Sequence, residues 1–174
     1  MKKIKNYFED KALLDNQVSF HLEKRNLTKQ KFTEGLIEAH MEKAKHDLRV
    51  ADLLISNKDY NDWVVISLYY ALYHSCLSLL AKKSYVSKNH TATLLFLIKN
   101  YSEVSEEEIE LIEEVSLTKS DAEFYTSLKS DRHDANYSTN MIFSEDYVTS
   151  LRKKTIFFIN KVELILEKQG YHDT

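Results

Sequence analysis

Residues 63–80 read WVVISLYYALYHSCLSLL, a run that is apolar nearly all the way round a helix. A helix with no polar face belongs in the middle of a fold, so a segment from Asn61 or Asp62 to Lys82 is expected to be the central, most buried element. Within it Tyr69, Tyr70, Tyr73 and His74 fall on successive turns. Their residue types fit a core whose hydroxyls find partners, or the lining of a cleft. Cys76, in the same run, reads as a small buried hydrophobe.

Upstream, residues 28–56 carry Ile37, Met41, Ala44, Leu48, Ala51 and Ile55 at alternating steps of four and three. That spacing is one apolar stripe on a helix. Asn57, Lys58 and Asp59 then mark a turn. Residues 1–27 mix charge with scattered apolar positions and read as an amino-terminal extension, with a short helix over 8–25 packed loosely on the rest. Downstream, Ser87 or Asn89 can cap a helix over 91–101. Ser105 with Glu108 fits a reciprocal capping box. The helix it opens is expected to pause near 116–120 and resume toward Arg132. Ser144 caps a last helix over 145–168.

The chain has no proline and two glycines among 174 residues. An all-β fold needs both residues in its turns, and long helices are interrupted mainly by them. The expectation is an all-α, up-and-down bundle of four to five helices over residues 28–170, preceded by the extension 1–27. A formal charge of −3 does not suit a chain that coats nucleic acid over its whole surface, although it leaves room for a local basic patch. One cysteine excludes an intrachain disulfide and a Cys-based zinc cluster. No wholly apolar run nears the roughly 18 residues of a membrane span, and no signal peptide follows the first lysines, so a cytoplasmic chain without a membrane partner is expected.

Neither Glu-x-x-His nor His-Glu-x-x-His occurs, and His40 and His46 fall on different faces of one helix, so no metal is expected. No glycine-rich phosphate loop occurs either, and no cofactor is expected. The densest polar array is 121–138, DAEFYTSLKSDRHDANYS, centred on Arg132, His133 and Tyr137. Arginine grips phosphate as a two-pronged donor, and histidine exchanges protons near neutral pH. Cleavage of RNA by its own 2′-hydroxyl needs such groups: a base, an acid and a cation for the charged intermediate. Read without function, the same residues are an exposed helix end with an Asp131–Arg132–Asp134 charge cluster. On one regular helix Arg132 and Tyr137 lie about 140° apart. Their convergence requires the helix to end between them, or a symmetric dimer that brings two copies of Arg132 together.

Tyr69-Tyr-Ala-Leu-Tyr-His74, then Leu79-Leu80, Lys88-Asn-His90 and Arg132-x-x-Ala135-x-Tyr137 together resemble the HEPN family of small helical proteins, over roughly residues 33–166. The resemblance implies a helical bundle that forms a homodimer. It also implies a minimal nucleotidyltransferase partner, as toxin and antitoxin, and an RNA or nucleotide ligand. For the branch of the family that cleaves RNA without a metal, it implies catalysis by Arg132, the polar residue His133 and a later His, whose place is taken here by Tyr137. Asn136 stands where the family has an acidic residue, and Thr139 where some relatives have a modified Tyr. Lys129, Asn136, Tyr70 and His74 complete the expected RNA- or nucleotide-binding set around Arg132. The alternative is a non-catalytic helical module that docks a nucleotidyltransferase or another macromolecule.

Overall fold

A computed structural model describes residues 2–56, 60–130 and 143–168, with the backbone alone at 2–3 and 121–130. In chain order these form α1 (Lys2–Glu9), α2 (Lys11–Glu23), β1 (Leu27–Lys29), α3 (Glu34–Ile55), α4 (Asn61–Lys82), β2 (Tyr85–Ser87), α5 (His90–Asn100), α6 (Glu106–Ser130) and α7 (Glu145–Lys168). The fold is an all-α bundle, as the patterning predicts.

α4 is its axis. Val64, Val65, Leu68, Leu72, Leu79 and Leu80 are all fully buried. α3, α6 and α7 pack against it. By length and composition α4 could cross a membrane, but 72% of its apolar window is buried inside the protein, which is where its hydrophobic surface goes. Leu77, on the same helix, is only half-buried. α3 runs antiparallel to α4 and to α7. Asp52 meets Arg152 through two hydrogen bonds of 2.5 and 3.0 Å, and Lys45 meets Glu163 at 2.5 Å. Of the expected stripe on α3, Met41, Ala44 and Ala51 are buried, and Leu48 and Ile55 pack against the core from its edge.

Three local readings change. The helix expected over 8–25 is two helices. Asp10 adopts an extended backbone and accepts a hydrogen bond from the Leu13 N–H at 2.9 Å, so it caps a new start. These helices are not loosely attached: Tyr7, Leu14 and Val18 enter the same core as α4. The helix expected from 28 begins instead at Glu34, because residues 27–29 pair antiparallel with 85–87 in a two-stranded ribbon. Finally, α6 runs unbroken through 116–120. There the Thr118 hydroxyl donates to the Glu114 carbonyl at 2.9 Å and the Ser120 hydroxyl to that of Ser116 at 3.1 Å. Hydroxyls satisfied on the preceding turn leave the helix no reason to stop.

The helix ends follow the same chemistry. The Ser105 N–H donates to Glu108 Oε2 at 2.8 Å, and the Glu108 N–H to Ser105 Oγ at 3.3 Å, closing the expected box. Lys161 on α7 also donates to both oxygens of Glu108, at 3.0 and 2.8 Å. The box therefore ties α6 to α7 as well as opening α6. Ser105→Ala is expected to cost about 1 kcal/mol. A shift of that size in the urea midpoint, with an unchanged denaturant slope, is the check. With so little glycine, Arg25 and Ser84 take the left-handed conformation after α2 and α4, at φ of 56° and 64°.

Candidate functional site

The tyrosines of α4 face α5 and α6. Tyr69 and Tyr73, one turn apart, stack at 5.7 Å between ring centres, and the His90 ring lies 6.0 Å from each. Asn89 brings His90 there by accepting from the Ala92 N–H and so starting α5 at His90. His90 Nε2 lies 3.0 Å from Glu113 Oε2 on α6. A carboxylate only accepts, so Nε2 carries the proton and Nδ1 keeps its lone pair. That lone pair faces the Tyr69 hydroxyl at 3.4 Å. A chain of donors thus runs from Tyr69 to His90 to Glu113, across three helices. Tyr73 ends on the Thr93 hydroxyl, also at 3.4 Å.

Burial sets the protonation of these groups. It pushes the Tyr69 hydroxyl up to about 12 and raises that of Tyr73, so both are donors rather than bases at neutral pH. The hydrogen bond from His90 holds Glu113 below the usual carboxylate range. Tyr70 differs: its ring is 37% exposed and sits edge-on to Tyr69 at 5.2 Å. Lys119 of α6 places its ammonium 5.2 Å from the centres of both rings. The result is a cationic, aromatic surface where α4 meets α6.

His74 turns the other way, to α3. Its Nδ1 lies 3.1 Å from Nδ1 of His40, with ring centres 5.3 Å apart. The ring centres are separated by nearly the nitrogen distance plus two ring radii, so the nitrogens point at one another. One ring therefore donates its N–H to the other. Burial lowers both histidines, His40 to about 4, so both rings are neutral at neutral pH. Among the described residues no group of three or more His, Cys, Asp or Glu side chains is placed to hold a metal. Cys76 is fully buried, and burial raises its thiol far above the usual range.

Of the residues singled out in the sequence, Tyr70 and His74 therefore stand on different sides of α4, one toward α6 and one toward α3. Lys129 lies in α6. Arg132, His133, Asn136 and Tyr137 lie outside the described residues. Sequence reasoning missed Lys119, Glu113 and the His40–His74 pair. The pair is separated by 34 positions and Glu113 from His90 by 23, so no local spacing announces either.

A family model of the HEPN domain matches residues 37–165, from the first turns of α3 into the last turns of α7. A search among curated proteins finds no match. With well over half of its length matched, the chain belongs to the HEPN-domain family.

Proposed function

We propose that this HEPN-domain protein binds RNA or a nucleotide through Arg132, as the toxin-like member of a cytoplasmic pair with a nucleotidyltransferase, and that it acts as a homodimer. The observation that carries the reading is the Tyr70 ring beside Lys119. Exposed tyrosines flanked by cations are stacking platforms for unpaired bases. The platform sits on α6, and Arg132 follows the end of α6 by two residues in the sequence. Arg132 would grip phosphate, with Lys129 and Asn136 beside it. His74, hydrogen-bonded to His40, would bear on the ligand only through the position of α4. His133 would be the proton carrier. Tyr137, a phenol with a reference pKa of about 10, is a poor base, so cleavage is expected to be slow beside that of a relative with histidine there.

Titration with labelled RNA and with ATP tests this. Arg132→Ala should weaken binding roughly 10- to 100-fold, the worth of hydrogen bonds to a charged group. Tyr70→Ala should weaken binding of single-stranded RNA by at least about fivefold, while Tyr137→Phe leaves affinity nearly unchanged. Equal affinities for wild type and Arg132→Ala, or no binding by either, would favour the non-catalytic docking module instead.

A further inference from the structure

The outward face of α7 is not what a surface helix needs. Its inner face, with Leu151, Phe158 and Val162, is buried in the core, and the opposite face should then be polar throughout. Instead it exposes Phe157 and Leu164, 66% and 55% accessible and one heptad apart. They belong to a seam, Lys153, Phe157, Asn160, Leu164 and Glu167, in which every residue is exposed. Steps of four, three, four and three keep these five on one line about 21 Å long. Neither Lys153 nor Glu167 has an ion-pair partner among the described residues.

The order of the seam identifies what covers it. Read backwards, it runs Glu, Leu, Asn, Phe, Lys. Laid antiparallel on a copy of itself, Lys153 meets Glu167 of the second copy, Phe157 meets Leu164, and Asn160 meets Asn160. A parallel pairing would set Lys on Lys and Glu on Glu, which repels at both ends. Lys168 lies about 100° round the helix from Glu167, off the seam. Beside Phe157 a groove of about 380 Å³, floored by Leu111 and walled by Glu107 and Lys154, leaves room for the incoming leucine. We infer that the outer face of α7 is the surface through which two copies of this chain pair, antiparallel about a two-fold axis at Asn160. The contact is isologous, so each pair of groups occurs twice. It stands whether or not Arg132 binds RNA. The Phe143 ends of the two α7 helices then point in opposite directions, so this pairing keeps the two 131–142 segments apart rather than sharing Arg132 across the axis.

A charge swap tests it. Sedimentation of the full chain at micromolar concentration should show a dimer. K153E and E167K should each weaken dimerisation roughly tenfold, since each turns two attractions into two repulsions. The double variant K153E/E167K should return to within about threefold of wild type by the same arithmetic. All three residue changes are on the surface, and an unchanged circular dichroism spectrum confirms the fold. A wild-type monomer overturns the inference. So do single variants that remain dimeric, which would put the interface elsewhere, and a double variant that fails to recover.

Discussion

Tyr101→Ala is expected to cost about 3–5 kcal/mol, enough to unfold a domain of ordinary stability at physiological temperature. Tyr101 is 1% exposed, at the end of α5, and its hydroxyl donates to the Leu79 carbonyl at 2.5 Å. Leu79 is in the last turn of α4, where carbonyls begin to lack helical partners. The Lys83 N–H, which would serve Leu79 in a continuing helix, turns to the Leu80 carbonyl at 3.0 Å. Tyr101 therefore fills space and caps the central helix at once. Tyr101→Phe keeps the ring and strands the carbonyl, for about 1–3 kcal/mol. Urea unfolding separates the two contributions. If Phe proves as harmful as Ala, the hydroxyl rather than the ring volume dominates.

Acid should weaken the fold through the helix pair α3–α4. The His40 ring is held neutral by burial, down to about 4 from an ordinary 6.5, and His74 is lowered in the same way. With the folded value below the unfolded one, the unfolded chain binds protons first as the pH drops. Stability from this source is whole above about pH 6.5, declines between 6.5 and about 4, and then levels off. With part of the His40 ring open to solvent, the loss is on the order of 1–2 kcal/mol. Asp47 moderates it by favouring the charged form of His74, and Lys43 opposes that. Thermal unfolding followed from pH 7 to pH 4 should show the decline, and His40→Gln should flatten it. An equally steep decline in that variant would assign the acid sensitivity to other groups.

The central helix, the capping box and the last helix were legible because each is a local matter. A run apolar all round, a Ser three residues before a Glu and a Ser before an acidic turn act within a few positions. The amino terminus was not, because what decides it is remote. A single helix over 8–25 fits the composition, yet Asp10 caps a second start, and β1 forms only when residues 85–87 lie alongside it. The pause expected in α6 failed for the opposite reason: Thr118 and Ser120 look like breakers until their hydroxyls are seen to fold back on the helix. At the candidate site the tyrosines of α4 and His90 stood out by type. Lys119 and Glu113 are ordinary charged residues on an acidic helix, and only the packing of α6 on α4 gives them a role.

The ribbon bears on the order in which the molecule assembles. α3 and α4 are neighbours in the chain and can zip together early, whereas Leu27 must wait for Ser87 across an intervening loop of about 60 residues. Closure of that loop also fixes the entry to α5. The Lys88 N–H donates to the Asn26 carbonyl at 3.0 Å, and the Ser87 hydroxyl to the Asn89 carbonyl at 2.9 Å, one residue before His90. The first residues translated thus help to seat a histidine that lies more than sixty positions later, and the tyrosine cluster reaches its final register only after the amino terminus has docked.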